Sequence, residues 1–451
     1  LGLLAASRVI AEDVKSVKGR GGHGGYLARS ALTIAPSSDI LTSRDGSAEH
    51  PRIEGETVTH VLRCSGHGLV KTDIVRAQGC HLYDAQGKRY VDLEAGVWCT
   101  ALGHSHPRVR EAIRAQTDRV VHLAYRYTND VVEEAAEAVL GTVGIEDGKC
   151  VFLSSGSEVV EFGVQVARHI TGKPLLLALH DSYLAAYGSA GRKSADEWYC
   201  FDWRVCAACP HVDGCDPSCR HLRAIPLDRI GGLAFEPGST SGLVRFPPRR
   251  LVRALARMVR EQGGLVVVDE VTTGLGRTGA WYGFQHYGLQ PDVVALGKSL
   301  GNGYPVSAIA MARAVAHELE SSTFHYAQSH QNDPLGCAIA KTVIAAIRKE
   351  GLVERSKRVG AWFLGELEDL AERHDAIQEV RGRGLMIALE FAGGGEGALA
   401  ISLYRDLLDL GFAVGCKPVA NLLRFFPPLT IEREDIAGLL GSLDRILTVR
   451  R

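Results

Sequence analysis

Leu265-Val-Val-Val-Asp-Glu-Val-Thr-Thr-Gly-Leu-Gly-Arg-Thr-Gly279 is the stretch on which the fold turns, and Ala295-Leu-Gly-Lys-Ser-Leu-Gly-Asn-Gly303 completes it. A short, uninterrupted apolar run ending in an acid reads as a strand buried on both faces. Its carboxylate then sits at the carboxyl edge of a parallel sheet, where ligands of α/β folds bind. Val293-Val-Ala-Leu296 reads as the next strand, so Lys298 emerges at the same edge. A lysine desolvated there is nucleophilic toward an aldehyde, and Asp269 is placed to meet a buried cation. Together they suggest a Schiff-base lysine with an acid partner for a pyridinium nitrogen. Taken singly they have plainer readings, Asp269-Glu270 as a helix cap or metal-binding acid pair and Lys298 as a solvated side chain. Gly274-Leu-Gly-Arg-Thr-Gly279 also fits a dinucleotide-binding pattern and keeps a nicotinamide oxidoreductase open, but Trp281-Tyr-Gly-Phe284 follows where a helix belongs.

Outward from this block, apolar strands alternate with amphipathic helices. Strands are expected at Cys150–Leu153, Pro174–Ala178 and Gly232–Phe235, and helices at 108–120, 129–142, 157–171 and 248–262. Short strands from Val58 suggest a small antiparallel unit. The tail from about 335 predicts two long helices, a strand pair around Arg383–Glu390 and a final helix after Ile431. Residues 1–50, rich in Gly, Ser and Arg, are expected to be a flexible arm. Residues 51–107 read as the N-terminal segment of a small domain, 108–330 as a large domain with a Cys-rich insertion at 200–221, and 331–451 as the C-terminal small domain.

Composition limits the function. Lys plus Arg number 51 against 52 Asp plus Glu, so no strong field draws nucleic acid or an acidic membrane surface. The longest apolar runs fall far short of the roughly 20 residues of a membrane helix. Small-molecule chemistry is the expectation. Eleven cysteines is an odd count, and six (Cys64, Cys80, Cys99, Cys150, Cys337, Cys416) are scattered in apolar segments as buried thiols would be. That points to a reducing, cytoplasmic compartment.

Leu153-Ser-Ser-Gly-Ser-Glu158 is a turn between strand and helix, where free N–H groups and hydroxyls make an anion site at Ser155, Gly156 and Ser157. An ordinary capping box would have the same sequence.

With these motifs in place, the chain resembles the class III (ornithine and ω-amino acid type) aminotransferases over most of residues 58–445. The resemblance implies a pyridoxal-phosphate-dependent transferase of fold type I, with a large domain built on a mostly parallel central sheet and a smaller α+β domain. It implies that Lys298 holds the cofactor and shuttles a proton, that Asp269 keeps the ring nitrogen protonated and that Val271 packs on one ring face. Ser155, Gly156 and Ser157 would bind the phosphate of pyridoxal 5'-phosphate. Tyr183, in Leu179-His-Asp-Ser-Tyr-Leu-Ala-Ala-Tyr-Gly188, would stack on the other ring face. Leu184, Ala185 and Ala186 depart from the family's His-Gly-Arg, which makes ornithine and γ-aminobutyrate less expected as substrates. Glu236 and Pro237 match a Glu-Pro motif at the cofactor, whereas Ser241 replaces its second glutamate and Thr272 a common glutamine. Ser329 aligns with a hydroxyl that reaches the neighbouring subunit's phosphate, implying a homodimer with shared active sites. Arg424, in Leu422-Leu-Arg-Phe-Phe-Pro-Pro-Leu-Thr430, would grip a substrate carboxylate, and Trp98 would wall the pocket; core packing is an equal reading for Trp98. The reaction implied is transfer of an amino group from an amino acid or amine to a keto acid or aldehyde. A racemase, epimerase or aminomutase on the same fold is the alternative.

Cys200 to Cys219 has no counterpart in that family pattern. Cys206, Cys209, Cys215 and Cys219 could supply thiolates to a structural zinc. An iron–sulfur cluster, disulfides, free thiols and a zinc-stabilised binding module without catalysis stay open beside it.

Overall fold

Valine and leucine dominate the central strands with no polar alternation, and their burial explains why: both faces of the sheet are covered. The computed structural model describes residues 60–62, 69–145, 147–206, 209, 211, 214–216, 218–239, 241–393 and 398–450. The expected arm at 1–50 and Cys64 lie outside these residues. The chain divides into a unit over Leu1–Thr72 and a unit over Asp73–Arg451, and the site lies wholly in the second.

In chain order the strands are β1 (Ile74–Gln78), β2 (His81–Asp84), β3 (Arg89–Asp92), β4 (Lys149–Leu153), β5 (Leu175–Leu179), β6 (Trp198–Phe201), β7 (Ile230–Phe235), β8 (Leu265–Asp269), β9 (Val293–Leu296), β10 (Ser307–Met311), β11 (Ile377–Arg383), β12 (Met386–Phe391), β13 (Phe412–Ala413), β14 (Gly415–Lys417) and β15 (Leu422–Phe425). The large sheet has the order β4-β10-β9-β8-β7-β5-β6. Along it the side chains alternate between two cores. Leu175, Leu177, Val266, Val268, Val294 and Leu296 join one. Leu176, Ala178, Val267, Val293 and Ala295 join the other, beneath the helix Gly156–Thr171.

Strand β10 runs antiparallel to both β4 and β9, and the remaining neighbours are parallel. Ser-Ala-Ile-Ala-Met has weak strand propensity, so β10 was not anticipated from sequence; the slot between β4 and β9 decides it. Two antiparallel steps restore direction, so β4 points the same way as β5 to β9. Five of the strands that bear site residues (β4, β5, β7, β8 and β9) therefore end at one edge.

Two four-stranded sheets complete the fold, β1-β2-β3-β13 and β11-β12-β15-β14. Both use residues beyond 376, and β3 pairs in parallel with β13. The Phe426 amide donates to the Leu93 carbonyl (2.7 Å) and Leu429 to Ala101 (2.7 Å), so the segment 93–101 is strapped to the C-terminal strands. The long helices Pro334–Lys349 and Leu352–Arg373 and the final helix Arg433–Val449 follow the expected order, while Ala398–Asp409 is an additional helix. No helix among the described residues is long and apolar enough to cross a membrane.

Candidate active site

Asp269 ends β8 and Lys298 begins the short turn Lys298–Gly301 after β9, and β8 and β9 are adjacent, with Asp269 opposite Ala295. Register alone brings the two residues to one place. Lys298 takes φ +43°, a left-handed conformation that a non-glycine residue adopts only when its surroundings enforce it. Its Nζ donates to Thr272 Oγ1 (2.6 Å) and lies 4.7 Å from the centre of the Trp98 ring. Burial pushes the Lys298 pKa down, opposed by the negative charges of Asp269 and Glu236. The amine is thereby biased toward its neutral, nucleophilic form.

The two acids of the Asp-Glu pair do different things. Glu270 accepts from Thr273 Oγ1 (2.7 Å) and from the amides of Gly283 (2.9 Å) and Phe284 (2.6 Å), so it fastens the following turn. Asp269 accepts from the Val271 amide (3.0 Å), and burial raises its pKa despite that bond and the nearby Lys298 and Lys193. A buried carboxylate whose protonation rises in this way fits a cationic partner such as a pyridinium N–H. The residues thus fit pyridoxal phosphate at its ring end.

They also fit at the phosphate end. Ser155 caps the helix Gly156–Thr171: its Oγ accepts from the Glu158 amide (3.3 Å) and Glu158 Oε2 accepts from the Ser155 amide (2.7 Å). The capping box is real, and it leaves the first helical amides, Gly156 and Ser157, without intrahelical acceptors. Ser157 Oγ accepts from the Ala186 amide (2.9 Å), joining the phosphate turn to the loop that bears Tyr183. A side chain at Gly156 would come within 2.6 Å of Val271 Cγ1, so glycine is needed for this close approach.

Tyr183 follows β5, and its amide donates to Glu236 Oε2 (2.9 Å) just beyond β7. Tyr183 is 41% exposed while Val271, after β8, is 8% exposed. Ser329 is exposed in a turn whose neighbour Gln328 donates to Ser154 Oγ (3.3 Å) and Glu158 Oε1 (3.1 Å), beside the cap.

The opposite wall comes from far away in sequence. Trp98 stacks on Phe426 (centroids 4.7 Å apart, 23° between planes), and the Arg424 guanidinium lies 5.2 Å from the Trp98 ring centre. Ala95, Val97 and Trp98 all have positive φ, a strained run pinned by Asp92, which accepts from the amides of Glu94 (3.0 Å) and Gly96 (3.1 Å) and pairs with His104 (2.7 Å). The run delivers Glu94, whose Oε2 meets Arg424 Nη2 at 3.4 Å. Burial raises the Glu94 pKa, and Arg424 opposes it. Arg424 Nε and Ser241 Oγ are both buried without a hydrogen-bond partner.

Three site residues escaped the sequence reading. Glu94 pairs with Arg424, Lys193 donates from Nζ to the Tyr183 carbonyl (3.1 Å), and Arg277 is wholly buried with Nε and Nη2 unpartnered. Only Arg277 carried a signal, a cation inside the glycine-rich block. Glu94 and Lys193 sit in loops with nothing local to distinguish them. In the Cys-rich insertion Cys206, Cys209, Cys215 and Cys219 are half-buried free thiols, and among the described residues the group whose ligand atoms converge closely enough for a metal ion is His122, His330 and Asp333 instead.

A family model described as aminotransferase class-III matches residues 64–186 and 211–447. An acetylornithine aminotransferase of Methanosarcina mazei is 32% identical over 410 residues, covering 90% of this chain and 99% of that one. Among solved structures, an (S)-enantioselective omega-transaminase from Thermomicrobium roseum is 27% identical with TM-score 0.74, covering 84% of this chain and 92% of that one. An S-selective transaminase from Arthrobacter sp. shares the fold at 23% identity and TM-score 0.79, covering 86% and 96% of the two chains.

Proposed function

Because the chain belongs to the class III aminotransferase family, whose members depend on pyridoxal phosphate, we infer that it moves an amino group between an amino acid or amine and a keto acid or aldehyde at the Lys298 site. The observation that carries this reading is the desolvated Lys298 amine on Thr272, beside a buried Asp269 at the end of the adjoining strand. When bound, pyridoxal phosphate supplies the electron sink that lets a C–H bond beside the amino nitrogen break.

The chain supplies the rest. Lys298 Nζ would hold the cofactor aldehyde and, as a free amine, would hold and move the proton at the substrate carbon. Its depressed pKa supports a neutral amine that can accept that proton. Asp269 would hold a proton on the ring nitrogen. Val271 and Tyr183 would bound the ring, Glu236 fixes the Tyr183 backbone, and Ser155, Gly156 and Ser157 would bind the phosphate. Ser329 would reach the phosphate of a second copy, so the working enzyme would be a homodimer with shared sites. Residues 108–330 form its large domain, and 51–107 with 331–451 the small one. Arg424 receives a substrate carboxylate in a charge-assisted bond, and Trp98 closes the pocket and limits water. The relatives' name suggests an N-acylated diamino acid, and a single carboxylate facing Arg424 suits that class. All ten described cysteines are free thiols, which supports a reducing, cytoplasmic setting. A zinc ion at Cys206, Cys209, Cys215 and Cys219 would take no part in the chemistry.

The test is visible absorbance of the purified chain with pyridoxal phosphate, then bleaching by an amino donor and recovery on adding pyruvate or 2-oxoglutarate. Lys298→Ala is expected to abolish the lysine-linked band and turnover. A wild-type chain that never binds the cofactor, or that inverts an amino acid without any keto acceptor, would overturn the reading.

A further inference from the structure

Two histidines and an aspartate, none of them used by the chemistry above, meet although His122 and Asp333 are 211 positions apart in sequence. We propose that His122, His330 and Asp333 bind one divalent transition-metal ion of the zinc class, and that this ion clamps the segment at residue 122 to the turn 328–333. The proposal does not depend on the reaction assigned above.

The convergence is geometric. His122 Nδ1 lies 2.5 Å from Asp333 Oδ1, and His330 Nδ1 lies 2.5 Å from Asp333 Oδ2. The two imidazole rings are 4.7 Å apart between centroids, and one ligand atom from each of the three residues lies within 4.8 Å of the others. A tetrahedral zinc ion with bonds of about 2.0–2.1 Å spaces its ligands about 3.3 Å apart. The carboxylate therefore has to draw back slightly from its hydrogen bonds and the two nitrogens have to close in. The side chains of His122 and His330 are 44% and 59% exposed, which leaves them room to turn.

The donor set is selective. Two imidazole nitrogens and one carboxylate suit zinc, cobalt and nickel, whereas magnesium and calcium take oxygen ligands. No lysine or arginine among the described residues pairs with Asp333, whose two oxygens are both turned to histidine nitrogens. Three protein ligands leave a coordination position open. A cavity of about 190 Å³, lined by His330, Asp333, Ser154 and Tyr304 among others, gives room for water in it.

The backbone already holds the ligands in place. Asp333 precedes the helix Pro334–Lys349, whose proline fixes the helix start. Asn332, at φ +60°, donates from its amide to the Phe152 carbonyl (2.9 Å) and accepts at Oδ1 from the Phe152 amide (2.9 Å), so the turn is fixed against β4. Gln328 Oε1 accepts from the His330 amide. From the other side, the Leu335 amide donates to the Val121 carbonyl (3.4 Å), which sets His122 beside the helix start. Ligands held before the ion arrives lose little freedom on binding it. Histidine ligates as neutral imidazole, so any extra proton on the rings goes to solvent and no electron changes hands.

The experiment is titration of the full chain, freed of metal with EDTA and dialysed, with zinc by calorimetry and with cobalt(II) by absorbance. The wild type is expected to bind one ion more per chain, at micromolar Kd or tighter, than His122→Ala or His330→Ala. Cobalt at this site is expected to give the weak visible bands of nitrogen and oxygen ligation. Zinc is expected to raise the Tm of the wild type by more than that of either variant. Equal stoichiometry in the wild type and both variants would overturn the proposal, and so would a cobalt spectrum with the strong near-ultraviolet bands of thiolate ligation alone. Should a variant fail to fold, the wild-type cobalt spectrum decides by itself. An equal rise in Tm would remove the clamping role.

Discussion

Lys298 and Asp269 stand 29 residues apart on adjacent parallel strands, whereas Glu94 and Arg424 stand 330 residues apart and meet through a strained loop and a C-terminal strand. The first pair is set by sheet register. Any chain that forms β8 and β9 side by side delivers an acid and an amine to the same edge. The second pair exists only after the segment 93–101 has been strapped to β15 and the residues beyond it. The proposed cofactor floor is therefore set by register, and the proposed substrate wall by tertiary contacts. Thr272, at the floor, still meets Lys298 though a glutamine is common there; at the wall Ser241 stands buried and unpartnered while Glu94 pairs with Arg424.

The contrast can be broken most directly at Asp269. Asp269→Asn is expected to retain cofactor and lose on the order of 10²–10³-fold in kcat, as removal of one preorganised electrostatic partner does. Steady-state rates with an amino donor and keto acceptor measure it. A loss below about tenfold would mean that the floor is not what drives the chemistry.

At the wall, Arg424→Ala is expected to raise KM for carboxylate-bearing substrates by about 10- to 100-fold, the value of a charge-assisted hydrogen bond, and to leave simple amines nearly unchanged. Equal effects on both classes would deprive Arg424 of its role. Glu94→Gln sharpens the comparison because the sign reverses. If Arg424 receives the substrate carboxylate, its pair with Glu94 competes with that contact, so neutralising Glu94 is expected to lower KM for carboxylate substrates by about two- to tenfold, within the range of a partly buried ion pair. A rise in KM instead would make Glu94 a support for Arg424 and not its competitor.

The smallest effect is on stability. Burial raises the folded pKa of Asp269, so its contribution to the cofactor-free fold is fully present below its unfolded value of about 4 and is lost as pH rises through the raised folded value. A pyridinium bound beside Asp269 would supply the missing counter-charge and cancel that loss. Glu270, raised to about 7 by burial, changes in the same direction, but it does so with and without cofactor. The gap in Tm between loaded and cofactor-free protein is thus expected to widen as pH rises above about 4. A constant gap would place Asp269 away from the ring nitrogen.

The sequence alone determined the parts whose causes are local. Unbroken valine-rich runs specify strands covered on both faces, the acid and lysine that end two of them mark a reactive edge, and Ser155 with Glu158 specifies a capped helix start. Five cysteines between Cys200 and Cys219 mark a special segment without saying what holds it. Only the tertiary structure decided that β10 slots in antiparallel, that Glu270 fastens a turn while its neighbour Asp269 faces the lysine, and that Glu94 and Lys193 belong to the site. The physical reason is range. Periodicity and capping act over a few residues and leave a mark in the chain, whereas a buried charge chooses its partner by who is near after collapse, and that nearness is written nowhere in the neighbouring residues.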